Sequence, residues 1–264
     1  MESQLTGKIA LVTGSTTGIG LCIAELLASR GCSVVITGLT TLDKGQEQVE
    51  LFSKKYTGQF HFVEGDFSKT EEVEKLGQKV LEIYKDGIDI LVNCAGIPGR
   101  SPIEEMTTDH WQLTLTINLT APFLLTRTFF PTMKKKGWGR IINISSTMGL
   151  TAGYGKVAYC SAKTGLLGLT RVTALEGAPY GVTCNAICPS FTDAPMCHSI
   201  IEKNAREQGV SFEETKETFV KDNMPVGKLI PKEELAELIG FLCSSNTSCI
   251  TGQPLTIDGG FLNR

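Results

Sequence analysis

The chain has 264 residues, 41% hydrophobic and 20% charged, which is ordinary globular usage and enough to bury a sizeable core. A formal net charge of −3 gives no strong field for nucleic acid or an anionic membrane, and no apolar run is long enough to span a bilayer. The nine cysteines show no zinc-like spacing, so we expect reduced thiols, a cytoplasmic protein and no metal site.

Strand-like and helix-like segments alternate along the chain. The predicted strands are short apolar runs, at 8–12, 33–37, 60–64, 88–93, 140–145, 182–187 and 255–257. The predicted helices lie between them, at 19–30, 41–56, 69–84, 108–136 and 158–178. Nearly continuous apolar strands separated by helices are typical of a parallel sheet covered on both faces. We therefore predict the α/β class, with one Rossmann-like, doubly wound domain over 1–264 and a parallel sheet of about seven strands.

The stretch 192–231 interrupts this alternation, because polar helix-like residues are mixed there with Met, Pro and Gly. It follows the sixth predicted strand, at the carboxyl edge where open α/β sheets bind ligands. We expect a mobile substrate lid over 192–231. An ordinary surface excursion is the alternative.

A glycine-rich turn, TGSTTGIG, joins the first predicted strand to the first predicted helix. Gly14 permits a tight turn, Gly18 permits close approach of a phosphate, and Gly20 lets the helix pack on the sheet. With Thr17 and Ile19, these residues form a predicted site for a pyrophosphate at a helix N-terminus. The spacing differs from the common GxGxxG fingerprint, so the prediction depends on the position of the turn in the first strand–turn–helix unit.

The second predicted strand ends at the position where dinucleotide-binding enzymes contact the adenine ribose. An acidic residue there is typical of NAD enzymes, and an arginine is typical of NADP enzymes. This strand ends in Thr-Gly-Leu-Thr, and Leu39 is the residue that we place at the ribose. The sequence leaves NAD and NADP both open, with NAD slightly favoured.

Four polar residues form a second pattern. Tyr159 and Lys163 are four residues apart at the start of a predicted helix and share one face. Ser146 directly follows the fifth predicted strand, and Asn118 lies in the middle of the long helix before it. A nearby ammonium and a nicotinamide cation would lower the pKa of a tyrosine from its usual value of about 10. We therefore expect a general acid or base at Tyr159, with Ser146 on the substrate oxygen, Lys163 on the ribose hydroxyls and Asn118 holding a relay water.

With these motifs, the chain resembles the short-chain dehydrogenase/reductase family over essentially its whole length. Further matching motifs are Asp66, NCAG with Asn93, Ala95 and Gly96, the turn Pro189-Ser190, and IDGG at 257–260. The resemblance implies that Asp66 contacts adenine and that the NCAG segment and Pro189 line the cofactor. The family commonly has Gly and Thr where this chain has Ser190 and Ala194. We expect the neighbouring Thr192 to take over the contact with the carboxamide.

The resemblance implies hydride transfer between NAD or NADP and a secondary alcohol or ketone, without a metal, in a homotetramer. A catalytically silent cofactor-binding partner or redox sensor is a different class of function, and the four polar residues argue against it. A lyase or epimerase on the same fold is a third alternative.

Within the family, the chain is most similar to the bacterial D-3-hydroxybutyrate dehydrogenases. This resemblance implies a substrate site in which Gln, His, Lys, Gln and Trp bind a carboxylate. The matching positions here are Pro98, Met148, Lys156, Ile200 and Phe261. Only Lys156 keeps its chemistry, and a buried carboxylate needs polar partners. We therefore predict a mainly apolar substrate, with 3-hydroxybutyrate as the alternative.

Overall fold

Branched apolar residues make the strands, and the computed structural model, which describes residues 5–264, joins them in one parallel sheet. The strands are β1 Ile9–Val12, β2 Ser33–Gly38, β3 Phe60–Glu64, β4 Ile90–Asn93, β5 Gly139–Ile144, β6 Val182–Pro189 and β7 Pro254–Ile257. Their order in the sheet is β3-β2-β1-β4-β5-β6-β7. The strand order reverses between β1 and β4, which leaves a crevice at the carboxyl edge. The predicted Rossmann-like sheet of seven strands is confirmed.

Helices cover both faces of the sheet. They are α1 Gly18–Ser29, α2 Leu42–Lys55, α3 Thr70–Ile83, α4 Thr108–Leu115, α5 Ala121–Lys136, α6 Val157–Gly177, α7 Pro195–Gln208, α8 Phe212–Asn223 and α9 Lys232–Leu242. Side chains alternate across the strands, so Val12 faces the core layer of α1 and α9, while Leu11 faces the layer of α3 and α5. This double cover explains why the strands are apolar almost throughout.

Two helical segments differ from the prediction. The helix predicted over 108–136 contains a π-helical turn, Thr116–Thr120, between α4 and α5. A π-turn keeps the helical hydrogen-bond pattern but widens it locally, so apolar periodicity does not reveal it. Helix α9 was not predicted, although Leu235, Ala236 and Ile239 form its buried stripe.

The region predicted as a lid contains α7, α8 and a small apolar core of its own, formed by Cys197, Ile201, Met224, Leu229 and Ile230. Its two ends are tied together. The amide of Asp193 donates to the carbonyl of Ile230 at 2.8 Å, and the amide of Ile230 donates to the carbonyl of Phe191 at 2.9 Å. The two ends of the region therefore lie next to each other, just beyond β6.

All nine cysteines are free thiols, and Cys249 is the exposed member of the set. Burial raises the pKa of several of them, including Cys32 and Cys243, to about 12. None of the helices described above combines the length and the apolarity that crossing a lipid bilayer requires.

Candidate active site

A threonine at the end of β1 organises the crevice. The hydroxyl oxygen of Thr13 accepts hydrogen bonds from the amides of Cys94 and Ala95, both at 2.9 Å. These bonds fasten the segment after β4 to the turn after β1, across the point where the strand order reverses. The role of Thr13 was not predictable, because nothing in the local sequence distinguishes a buried hydroxyl with two amide donors from an ordinary threonine at the end of a strand.

The glycine turn has the shape that a bound phosphate needs. Gly14 has a φ of +64°, and a methyl group there would lie 3.1 Å from the Cα of Ala95. A methyl group on Gly20 would lie 2.3 Å from the carbonyl oxygen of Gly14, so Gly20 is required by the turn itself rather than by the sheet. Gly18 also has a positive φ, +59°, and faces Pro195 of α7.

The N-terminus of α1 leaves backbone donors available to an anion. Thr17 occupies the N-cap position without a side-chain capping bond, and the first turn contains no acidic residue. The first amides of a helix have no partner within the helix, and they carry the positive end of its dipole. Ile19 anchors this end of α1 by packing against the core. The donors fit a dinucleotide pyrophosphate.

The four predicted catalytic residues are brought together at the carboxyl edge of β4 and β5; we call Asn118, Ser146, Tyr159 and Lys163 the Tyr159 cluster. The Ser146 hydroxyl hydrogen-bonds the Tyr159 hydroxyl. The Nζ atom of Lys163 lies 5.6 Å from the centroid of the Tyr159 ring and donates to the Ile144 carbonyl at 2.8 Å. The hydroxyl of Ser145 donates to the carbonyl of Lys163 at 3.0 Å, which fixes α6 against the end of β5.

Burial dominates the titration of the cluster. It raises the pKa of Tyr159 to about 12, although the hydrogen bond with Ser146 acts in the opposite direction. It lowers the pKa of Lys163 to about 8, since only 4% of this residue is exposed. We expected a lowered pKa at Tyr159. In the chain alone this pKa is raised, because withdrawal from water outweighs the hydrogen bond with Ser146.

Asn118 lies in the π-helical turn and is fully buried. Its Nδ2 atom donates to the carbonyls of Ile97 and Thr114 at 3.1 and 2.9 Å, whereas its Oδ1 atom has no partner in the described part of the chain. A methyl group on Gly96 would lie 2.8 Å from this Oδ1 and 3.6 Å from Nζ of Lys163. The glycine therefore leaves space beside an unsatisfied acceptor and an ammonium, which suits a bridging water.

The residues predicted at the adenosine end lie beyond β2 and β3. Leu39 follows β2 and is 74% exposed. The carboxylate of Asp66 accepts from the amide of Ser68 at 3.0 Å and from its hydroxyl, and these bonds lower the pKa of Asp66. Asn93 is buried and donates to Oδ1 of Asn143 at 2.8 Å, leaving its own Oδ1 without a partner among the described residues. The adenosine end thus presents the Asp66 carboxylate and the exposed side chain of Leu39, whereas Asn93 lies apart from both, at the end of β4.

The turn after β6 shows the expected departure from the family pattern. Pro189 is the buried last residue of β6, and Ala194 caps α7 without a side-chain bond. Thr192 is 5% exposed, and its Oγ1 atom has no partner within residues 5–264. A buried hydroxyl without a partner is costly, so a ligand that bonds to it would be favoured.

The five predicted substrate residues are not all brought together. Met148 and Lys156 meet at Gly153, where a methyl group would lie 3.1 Å from Sδ of Met148 and 3.2 Å from Cδ of Lys156. The others are separate: Pro98 is exposed after the NCAG segment, Ile200 is half-buried on α7, and the ring of Phe261 lies 5.7 Å from that of Phe191.

Comparisons with known proteins agree with this geometry. The profile described as short chain dehydrogenase matches residues 8–205. The chain is 40% identical over 259 residues to D-beta-hydroxybutyrate dehydrogenase of Cupriavidus necator, covering 98% of this chain and 99% of that protein. It is also 40% identical over 260 residues to a 3-oxoacyl-acyl-carrier-protein reductase of Aquifex aeolicus, with 98% and 99% covered. The structure of L-sorbose reductase from Gluconobacter frateurii, complexed with NADPH and L-sorbose, has a TM-score of 0.94 at 27% identity and full coverage of both chains.

Proposed function

The chain belongs to the short-chain dehydrogenase family and is an NAD(P)-dependent oxidoreductase of secondary alcohols or ketones, and from this premise we propose that the Tyr159 cluster performs its proton chemistry. The observation that carries the proposal is the convergence of a tyrosine, a serine and a buried ammonium on one point of the crevice. NAD(P)H absorbance during a screen of alcohols and ketones, with both cofactors, tests it. A chain that binds the cofactor and turns over nothing would instead be a partner or sensor.

Each residue of the cluster has a distinct role in this proposal. During ketone reduction Tyr159 donates its phenolic proton to the substrate oxygen, and Ser146 donates a hydrogen bond to the same atom. Lys163 binds the cofactor ribose and favours the phenolate by its positive charge. The free Oδ1 of Asn118 holds a water that connects Lys163 with solvent. When bound, the cofactor supplies or accepts the hydride and, in its oxidised form, adds a positive charge beside Tyr159.

The cofactor contacts follow from the fit described above. The pyrophosphate is held by the turn with Gly14, Gly18 and Gly20 and by the amides around Thr17 and Ile19. The adenine end is held by Asp66, and the nicotinamide end by the segment of Asn93, Ala95 and Gly96, by Pro189 and by Thr192. We propose that the exposed apolar side chain of Leu39 faces the adenine ribose. We also propose that the enzyme slightly prefers NAD to NADP.

Leu39→Arg should shift the ratio of kcat/KM values toward NADP by about tenfold, because a guanidinium offers a charge-assisted partner to a 2′-phosphate. Leu51→Arg is the matched control, since Leu51 is also an exposed leucine and lies on α2. This substitution adds the same charge away from the crevice. Steady-state kinetics with both cofactors measures the ratio. An unchanged ratio in Leu39→Arg would show that Leu39 does not lie at the ribose.

We also propose that the substrate is mainly apolar at the positions of Pro98, Met148, Ile200 and Phe261. Apolar surface contributes about 25 cal/mol per Å² to binding, whereas an exposed ion pair contributes about 0–1 kcal/mol. Bulky cyclic or long-chain alcohols and ketones should therefore give higher kcat/KM than 3-hydroxybutyrate. If 3-hydroxybutyrate is clearly the best substrate of the panel, the apolar assignment is wrong, and the alternative of a 3-hydroxybutyrate dehydrogenase replaces it.

Three further proposals concern the assembly and the setting. A homotetramer is supported by the family resemblance and by apolar side chains such as Leu113 and Phe123, which are 40% and 42% exposed on α4 and α5. A cytoplasmic location is supported by the free thiols of residues 5–264. The region 192–231 acts as the substrate lid, which its position beyond β6 supports.

A further inference from the structure

Helix α6, which carries Tyr159 and Lys163, is held against β5 by side-chain hydrogen bonds at two separate places. Near the start of the helix, Nζ of Lys163 donates to the carbonyl of Ile144 at 2.8 Å. Further along it, Oγ1 of Thr170 accepts from Nδ2 of Asn143 at 2.9 Å. Thr170 follows Lys163 by about two helical turns, so both side chains lie on the same face of α6. The position of Lys163 over the sheet therefore depends on the bond at Thr170 as well as on its own.

Asn143 joins β4, β5, β6 and α6 through one side chain. It is fully buried on β5, where its Oδ1 atom accepts from Nδ2 of Asn93 on β4 at 2.8 Å. Its Nδ2 atom donates to Thr170 and, at 3.6 Å, to Sγ of Cys184 on β6. The hydroxyl of Thr170 donates onward to the carbonyl of Leu166 at 2.7 Å, so its oxygen is oriented as an acceptor for Asn143. A continuous chain of donors thus runs from β4 into α6, and buried hydrogen bonds in such a chain polarise and strengthen one another.

The other end of this chain is the cofactor segment. Asn93 is the last residue of β4 and the first residue of the NCAG segment. Within that segment, a methyl group on Gly96 would lie 3.6 Å from Nζ of Lys163. The segment and α6 therefore lie next to each other at Lys163 and are joined a second time through Asn143 and Thr170. The bonded chain controls how far α6 stands from the segment.

Lys163 is sensitive to a small displacement of α6. Only 4% of this residue is exposed, and burial lowers its pKa to about 8. A shift of the helix away from the sheet would admit water beside the ammonium and would move it relative to the ribose. A misplacement of about 1 Å can cost about a hundredfold in the rate of a reaction that depends on orientation. The bonds of the interior therefore act on the reacting groups as well as on stability.

We propose that Asn143 and Thr170 are positioning residues, and that the hydrogen bond between them sets the distance of α6 from the cofactor segment and thereby places Lys163 and Tyr159. The inference rests on the proposed function, because it takes the Tyr159 cluster as the reacting group. Asn143 and Thr170 are 0% and 1% exposed, so their effect on turnover must pass through the helix. A purely structural role would lower the stability and leave the kinetics of the folded enzyme unchanged.

The test compares Thr170→Val, Thr170→Ser and Thr173→Val. Valine keeps the shape of threonine but removes the acceptor for Asn143, so kcat should fall by about tenfold with the best ketone of the screen, while KM stays within about twofold. Serine keeps the hydroxyl and should restore kcat to within about threefold of wild type. Thr173→Val is the matched control, because Thr173 is also buried on α6 but is not the threonine to which Asn143 donates. It should retain wild-type kcat. Thermal midpoints select an assay temperature at which every variant is folded.

Cofactor titration keeps this result apart from the proposed function, since it needs no turnover. Lys163 binds the ribose in our proposal, so Thr170→Val should raise the Kd of NADH or NADPH by about threefold or more, and Thr170→Ser should not. Wild-type kcat and Kd in folded Thr170→Val, or an equal loss in Thr170→Ser or Thr173→Val, overturns the positioning role and leaves the oxidoreductase intact. Failure of wild type with every alcohol and ketone, alongside weaker cofactor binding in Thr170→Val alone, overturns the catalytic proposal instead.

Discussion

Replacing Tyr159 with phenylalanine should lower kcat by about 10²–10⁴-fold, the contribution typical of a positioned general acid or base. The phenyl ring still occupies its half-buried position, but the proton donor and the hydrogen bond with Ser146 are lost. Cofactor affinity should stay within a few fold, because Lys163 keeps its bond to the Ile144 carbonyl. Stopped-flow or steady-state kinetics and cofactor fluorescence titration measure the two quantities separately.

Tyr180→Phe is the matched control, since Tyr180 is 46% exposed on the loop after α6 and lies outside the cluster. It should retain wild-type turnover. Activity of Tyr159→Phe within a few fold of wild type, at an unchanged unfolding midpoint, would contradict the assigned proton donor. A parallel loss of activity and cofactor binding would instead point to damage of the crevice.

Gly20→Ala should have the second largest effect, on stability and on cofactor binding together. The added methyl group would lie 2.3 Å from the carbonyl oxygen and 2.7 Å from the carbonyl carbon of Gly14, both backbone atoms that cannot rotate away. The turn must shift, at a cost of about 1–3 kcal/mol in the free energy of unfolding, as for other overpacked sites. The dissociation constant of the cofactor should rise by about tenfold or more, because the displaced turn carries the amides for the pyrophosphate.

Ser29→Ala changes the opposite end of the same helix and should alter the free energy of unfolding by less than about 0.5 kcal/mol. Chemical denaturation gives the stabilities, and isothermal titration with NAD or NADP gives the affinities. Wild-type affinity in Gly20→Ala would show that the cofactor does not depend on the shape of this turn.

The parts of the fold that local sequence determines were predictable. Apolar runs located all seven strands within two residues, because a parallel sheet buried on both faces requires such runs. The glycine turn was predictable for a related reason, since a positive φ at Gly14 and Gly18 leaves few other residue types. The same motifs carried the family resemblance.

Features that depend on three-dimensional neighbours were not predictable. The π-helical turn that places Asn118 leaves no mark in the apolar periodicity, and the two amide donors of Thr13 come from residues about 80 positions away. The raised pKa of Tyr159 in the chain alone was also not predictable, because the sequence shows charged neighbours but not the depth of burial. The isolated bridge between Ser101 and Lys156 likewise joins two loops that are distant in the sequence.

The tied ends of the lid region bear on how such a protein changes its substrate during evolution. Because Asp193 and Phe191 both bond to Ile230, the chain between them forms a closed loop with its own small core. Residues 195–228 also contact Gly18, Ser190 and Gly259, so we expect changes that keep these three contacts to leave the path of β6 and β7 and the cofactor half of the crevice unaltered. Selection can therefore rework the substrate side as a separate module, while the hydride-transfer machinery is inherited without change.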